Sequence, residues 1–128
     1  MLAVDSDVLI RLITRDNAAQ SRRAARLFQT HEIELSRTVL LETARILAES
    51  FGFERERVLD ALQAVAGLPG VRVENAREVS RAIELSRAGL DFAEAMHIAC
   101  NSTRVFVTSD EQLYRRARRA GVYWVKRL

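Results

Sequence analysis

The chain has 128 residues and a formal net charge of +3, and it is 48% hydrophobic and 29% charged. These values are ordinary for a folded globular protein, and no apolar run approaches the roughly 18 residues of a membrane-spanning helix. The single cysteine, Cys100, excludes an internal disulfide. We therefore expect one cytoplasmic domain over residues 1–128, with no membrane partner.

In chain order, the predicted elements alternate between short strands and helices. Apolar runs and alternating patterns predict strands at 2–4, 33–35, 71–73, 105–107 and 123–125. Apolar residues at helical spacing predict helices at about 8–13, 18–30, 38–50, 54–66, 78–88, 91–101 and 110–120. Short strands alternating with helices favour a parallel sheet that is covered on both faces, with its strands buried.

Acidic residues stand beside the apolar segments. Asp5 and Asp110 each follow a predicted strand, Glu42 lies among aliphatic residues of a predicted helix, and Asp91 and Glu94 open another helix. Ligands of parallel sheets bind outside the carboxyl ends of the strands. A carboxylate near a core is costly unless it is paired, hydrogen-bonded or bound to a metal. We therefore expect these acids to converge on a divalent cation.

Each acid also has a purely structural explanation, and the sequence leaves these alternatives open. The two acids that follow strands could cap the next helix, and Asp91 with Glu94 fits a capping box. Glu42 needs no cap inside its helix, and its alternative is a salt bridge to Arg45.

The chemistry that this pattern favours is metal-assisted hydrolysis. Mg²⁺ and Mn²⁺ prefer carboxylate oxygens, and the sequence has no Cys/His spacing typical of zinc sites. A divalent cation makes water more acidic and stabilises charge on phosphoryl oxygens, so no serine or cysteine nucleophile is needed. Nineteen of the twenty basic residues are arginine, and guanidinium groups suit phosphates. The enrichment is consistent with a nucleic-acid partner, although a bias toward arginine codons explains it equally well and a net charge of +3 alone does not define a nucleic-acid-binding protein.

Four segments together resemble the PIN domain, and specifically VapC-type toxins of bacterial and archaeal toxin–antitoxin pairs. They are residues 3–16, 39–42, 90–99 and 107–110, which occur in the family's order and spacing. The resemblance covers essentially the whole chain. It implies a three-layer α/β/α sandwich with a parallel sheet of about five short strands. It also implies a Mg²⁺- or Mn²⁺-dependent endoribonuclease.

The resemblance carries over to individual residues. Asp5, Glu42 and Asp110 match the family's first, second and fourth acids, and the third segment usually reads Asp-Phe-Ala-Asp. Here that segment ends in Glu94, which is one methylene longer. Asp91 is also frequent in the family, so either of these two acids can be the nearer metal ligand.

The resemblance also implies a role for each side chain. Asp5, Asp110 and one of Asp91 and Glu94 are expected to hold the metal, while Glu42 orients or deprotonates the attacking water. Two hydroxyl residues, Ser6 and Thr108, are expected to support these acids without binding the metal. Four arginines are expected to contact RNA, namely Arg11, Arg15, Arg115 and Arg116. A solvated helix face is the alternative for each arginine.

Three partners follow from the same resemblance: an RNA substrate, a cognate antitoxin protein and a second copy in a homodimer. Apolar helix residues could serve the two protein surfaces, although we expect most of them to be core; they are Leu9, Ile10, Leu41, Leu47, Val58 and Leu62. Two alternative functions remain. One is a PIN nuclease of RNA processing outside toxin–antitoxin systems, and the other is a degenerate PIN domain that binds RNA or a partner without cleavage.

Overall fold

The structure is a computed structural model that describes residues 1–128. The chain is mixed α/β, with seven helices and five short strands. Its residues form two compact units, Met1–Ala76 and Arg77–Leu128, which are described separately below. None of the helices combines the length and the apolar composition that crossing a bilayer requires.

The first unit contains a three-stranded parallel sheet and four helices. Strand β2 lies between β1 and β3, and Ile33 is in register with Leu2 on one side and Val71 on the other. In chain order the elements are β1 (Leu2–Ala3), α1 (Ser6–Thr14), α2 (Ala18–Thr30), β2 (Ile33–Leu35), α3 (Arg37–Phe51), α4 (Arg55–Ala66) and β3 (Val71–Val73).

Helix α3 shows how the sequence sets these elements. The Ser36 side chain accepts a hydrogen bond of 3.2 Å from the Val39 backbone N–H and caps the helix. Leu40 and Leu47 are both buried. They lie on the same face of the helix, because seven residues correspond to about two helical turns. The helix ends at Gly52, whose φ of 69° lies in the left-handed region that glycine adopts without strain.

The apolar helix residues considered for partner surfaces are mostly core, as expected. Leu9, Ile10, Leu47, Val58 and Leu62 are buried, and only Leu41 is half-buried. These side chains therefore stabilise the first unit itself and offer little surface to a second protein.

The second unit contains three helices and a two-stranded parallel sheet. Phe106 of β4 is in register with Val125 of β5, and the Leu128 N–H donates a hydrogen bond of 2.9 Å to the Thr108 carbonyl. The elements are α5 (Ala76–Arg87, which begins at the last residue of the first unit), α6 (Phe92–Ala99), β4 (Phe106–Thr108), α7 (Glu111–Arg119) and β5 (Val125–Arg127).

The strand predictions need three corrections. The five strands form one sheet of three and one of two, because β2 pairs with β1 and β3 while β4 pairs with β5. The last strand begins at Val125 instead of Tyr123, because its pairing with β4 begins at Phe106 and Val125. Side chains predicted to be buried in strands are also exposed, with Val107 at 56%.

Candidate functional site

Ser6 is the structural centre of the acidic residues in the first unit. Its side chain is buried, with the residue only 4% exposed. Its hydroxyl donates a hydrogen bond to Oε1 of Glu42 and lies 3.4 Å from Oδ1 of Asp5. A hydroxyl has only one proton to donate, and the Glu42 oxygen is the nearer of the two acceptors. The bond to Glu42 is therefore the stronger contact. Ser6 thus connects two of the predicted catalytic acids.

Asp5 is placed by the junction between β1 and α1. The chain leaves β1 extended, and Asp5 takes the N-cap position of α1 with φ −82° and ψ 164°. Its Oδ1 accepts a hydrogen bond of 2.7 Å from the Ser6 backbone N–H. An N-cap side chain normally binds the N–H two or three residues on, so the capping explanation accounts for Asp5 only in part.

Glu42 lies on the exposed side of α3, and not in the apolar setting expected from its neighbours. The buried positions of this helix are Leu40, Thr43, Ala44 and Leu47, and a residue two positions after Leu40 faces the opposite way. The alternative of a salt bridge to Arg45 is also wrong, because Arg45 pairs with Glu49 at 3.6 Å. Ser6 is the side chain that holds Glu42.

Asp110 and Thr108 lie at the carboxyl end of β4 in the second unit. Oδ1 of Asp110 accepts hydrogen bonds from the backbone N–H groups of Gln112 at 2.9 Å and Leu113 at 3.1 Å. The Thr108 hydroxyl accepts a bond of 3.0 Å from the Asp110 N–H. Asp110 therefore caps α7, as the structural alternative predicted, and Thr108 fixes its backbone.

Asp91 and Glu94 form half of the predicted capping box. Oδ2 of Asp91 accepts hydrogen bonds from the N–H groups of Ala93 at 3.2 Å and Glu94 at 3.4 Å. The side chain of Glu94 does not return to Asp91. Instead, its Oε1 accepts a hydrogen bond of 3.1 Å from Nη2 of Arg116.

The Glu94–Arg116 ion pair is partly shielded from solvent. The two side chains are 23% and 32% exposed, so water screens their attraction less than at an open surface. The sequence gives no signal for this pair, because its members lie twenty-two residues apart on different helices. Arg116, which was expected to contact RNA, is thus bound to a predicted metal ligand.

The other arginines expected to contact RNA divide into two kinds. Nη1 of Arg11 donates to both carboxylate oxygens of Asp16, at 2.8 and 2.9 Å, and this hydrogen bonding lowers the pKa of the Asp16 carboxyl. Arg115 pairs with Glu111 at 3.3 Å. Arg15, at the end of α1, is exposed and has no acidic partner.

The predicted acids suit a hard cation by their chemistry. Each carboxylate uses one oxygen for the contacts described above and leaves the other without a protein donor; these acids are Asp5, Glu42, Asp91, Glu94 and Asp110. Free carboxylate oxygens are the ligands that Mg²⁺ and Mn²⁺ prefer. Taken separately, neither unit gathers three or more His, Cys, Asp or Glu side chains closely enough to hold a metal.

The exposure of these acids contradicts the expectation that each lies in an apolar setting. Glu94 is half-buried, and the other four acids are exposed. They lie at the ends of strands and helices or, for Glu42, on an outward helix face. Burial in an apolar setting therefore does not explain why carboxylates occupy these positions.

Comparison with known protein families identifies the class of this chain. Residues 2–119 match the PIN domain family. Since the match covers most of the chain, the protein belongs to the PIN domain family. Members of this family are generally nucleases, so the chain has a nuclease fold. Among curated proteins, no relative matches the sequence.

Proposed function

We propose that this protein is an endoribonuclease that hydrolyses RNA phosphodiester bonds with Mg²⁺ or Mn²⁺. The observation that carries the proposal is the PIN family match over residues 2–119. The positions of Asp5 and Asp110, each two residues beyond the end of a parallel strand, support it further, because ligands bind at the carboxyl ends of such strands. We propose a single PIN domain over residues 1–128, since the match over residues 2–119 includes most of both units.

The residues that would hold the cation are Asp5, Asp110 and either Glu94 or Asp91. Each offers an oxygen without a protein donor. When bound, a divalent cation lowers the pKa of water and stabilises the negative charge that develops on phosphoryl oxygens. The protein's own part is then to hold the phosphodiester and the attacking water in line.

Glu42 is the proposed base or orienting group for that water. The Ser6 hydroxyl donates to Oε1 of Glu42, which leaves Oε2 as the oxygen that receives the proton from water. A base fixed through one oxygen presents the other in a defined direction, and this lowers the entropic part of the barrier. In this proposal Ser6 positions Glu42, and Thr108 positions Asp110 through the backbone N–H.

The finer proposal is that this nuclease is the toxin of a cytoplasmic type II toxin–antitoxin pair, and that it forms a homodimer. Its support is the resemblance of four ordered segments to VapC-type toxins. Induced expression in a bacterium should arrest growth, and Asp5→Asn should relieve the arrest. Light scattering of the purified protein measures the dimer directly. Continued growth with well-expressed, folded protein would contradict the toxin role while leaving the nuclease proposal intact.

The nuclease proposal is tested by incubating purified protein with total RNA and transfer RNA in Mg²⁺, Mn²⁺ or EDTA. We expect cleavage that requires metal and disappears in Asp5→Asn. The asparagine keeps an oxygen for the Ser6 N–H, so folding should be retained. Failure of the folded protein to cleave either RNA with either metal would overturn the proposal and favour a binding role.

A further inference from the structure

Helix α2 is one of two helices in this chain with a net charge of +3. Residues Ala18–Thr30 include three arginines and no acidic residue. The complete sequence has 20 basic and 17 acidic residues. Outside α2 the two signs are therefore equal in number, at seventeen each. Helix α7 has the same net charge, from four arginines and one glutamate, but its Arg115 and Arg116 are paired with Glu111 and Glu94.

The three arginines share the outer face of the helix. Arg22, Arg23 and Arg26 are exposed, whereas Ala24 and Phe28 on the inner face are buried. None of the three arginines has an acidic partner. On other helices arginine is commonly paired, as in Arg45 with Glu49 and Arg81 with Glu84. We call Arg22, Arg23 and Arg26 the α2 arginine face.

The α2 arginine face is held in a fixed position. The Asn17 side chain accepts a hydrogen bond of 3.1 Å from the Gln20 N–H and caps the helix. The Ser21 hydroxyl donates a bond of 2.8 Å to the Arg11 carbonyl near the end of α1. With its inner face buried against the rest of the first unit, the helix cannot rotate to hide its charges.

The same face contains an open depression of about 600 Å³. Its lining consists of Ala19, Arg22, Arg23, Ala25, Arg26 and Gln29. The short alanine side chains let an extended ligand approach the helix closely, while the guanidinium groups flank it. Arg22 and Arg26 lie one turn apart, about 6 Å along the helix axis, so together they can contact successive anionic groups.

We propose that the α2 arginine face binds the phosphate backbone of single-stranded RNA. The choice of RNA rests on the proposed nuclease function, and the site itself rests on the unpaired charges. Guanidinium forks bind phosphate oxygens in a bidentate manner. A protein partner would instead need apolar or aromatic anchors at its centre. The depression has no aromatic or large aliphatic side chain, because its uncharged residues are two alanines and one glutamine.

The test measures RNA binding without cleavage. Fluorescently labelled single-stranded RNA of mixed sequence is titrated with protein in EDTA over a series of salt concentrations. In the Arg22→Gln/Arg23→Gln/Arg26→Gln variant, we expect the slope of log K against log salt to shrink by about 2, since each neutralised contact contributes roughly 0.7 on single strands. Glutamine is a good helix former, so α2 should remain folded.

Two matched variants control for net charge and for folding. Arg45→Gln/Arg55→Gln/Arg81→Gln loses the same three charges from other helices and should leave the slope nearly unchanged. The Arg22→Lys/Arg23→Lys/Arg26→Lys variant keeps the charges and should retain most of the slope. A slope that the α2 variant leaves unchanged, or that both glutamine variants reduce equally, would overturn the proposal.

A second ligand and a separate cleavage assay distinguish the remaining outcomes. If the α2 variant weakens binding of polyglutamate but not of RNA, the face binds acidic protein and the proposal is wrong. Cleavage in Mn²⁺ is measured independently. Binding that depends on α2 without any cleavage would support this inference and contradict the nuclease, whereas cleavage with binding independent of α2 would do the reverse.

Discussion

The Ser6 hydroxyl donates a hydrogen bond to Glu42, thirty-six residues away, and so joins the start of α1 to the exposed face of α3. If this bond positions Glu42 for catalysis, Ser6→Ala should lower RNA cleavage by roughly 10- to 100-fold, as the loss of a supporting hydrogen bond commonly does. Unfolding free energy should fall by about 1–3 kcal/mol, because the lost bond involves a charged acceptor.

Ser86→Ala is the matched control for that measurement. Ser86 is also buried, but its hydroxyl donates a bond of 2.8 Å to the backbone carbonyl of Leu90, and not to the side chain of a predicted acid. This variant should lose about 1 kcal/mol of stability with the turnover number unchanged. Equal losses of activity in the two variants would show that Ser6 acts only through stability.

Asp110 is both a helix cap and a proposed metal ligand, and the two roles can be separated. Asp110→Asn keeps an oxygen for the N–H groups of Gln112 and Leu113, so the melting temperature should change little. Cleavage should fall roughly 100-fold or more, because several kcal/mol of charge stabilisation would be lost.

A cap without a catalytic role provides the comparison for Asp110. Ser36→Ala removes the cap of α3 and should cost about 1 kcal/mol without reducing cleavage beyond the loss of folded protein. Thermal melts and initial rates measured on the same preparations check both variants. An Asp110→Asn variant with full activity would leave Asp110 a cap and nothing more.

Arg116 competes with any cation for Glu94. Arg116→Gln removes the ion pair of 3.1 Å, so the Mn²⁺ concentration that gives half-maximal activity should fall about fivefold if the pair contributes about 1 kcal/mol. Arg115→Gln removes an equal charge from the neighbouring position, where the partner is Glu111, and should have little effect. Identical responses of the two variants would favour Asp91 over Glu94 as the nearer ligand.

The stability of the fold is expected to depend on pH through the ionisation of Asp16. Hydrogen bonds from Arg11 keep the pKa of its carboxyl below the usual range. A carboxyl whose pKa is lower in the folded state stabilises the fold at pH values above its pKa in the unfolded chain, which is about 4. This stabilisation disappears as the pH falls through the pKa of the folded state. Asp16→Asn should therefore lower the urea midpoint of unfolding at pH 7 but not at strongly acidic pH. The control Glu32→Gln removes an exposed and unpaired carboxylate, and it should leave the midpoint unchanged at both pH values.

Much of the secondary structure follows from the sequence because helical and alternating patterns are local. Helix α2 and strands β2 and β3 have the predicted bounds. Capping residues also give local signals, and Asp110 and Asp91 cap the helices that were predicted to follow them. The last strand was misplaced because the aromatic residues Tyr123 and Trp124 favour a strand, while the pairing with the distant strand β4 begins only at Val125.

Features that depend on distant contacts were not predictable in the same way. The Ser6–Glu42 bond and the Glu94–Arg116 pair join residues from separate elements, and no sequence spacing predicts such contacts. The exposure of Glu42 was in principle readable, since Leu40 and Leu47 define the buried face of its helix. The α2 arginine face also had a signal in the sequence, namely a helix of thirteen residues without one acid.

The most direct test of the central claim identifies the nucleophile. RNA is cleaved in Mn²⁺ in water labelled with a heavy oxygen isotope, and the new phosphate ends are analysed by mass spectrometry at early times. We expect each cleavage to place one labelled oxygen on the terminal phosphate, because water is the proposed nucleophile. Cyclic phosphate ends without label would show attack by the ribose hydroxyl and would contradict the proposed hydrolysis.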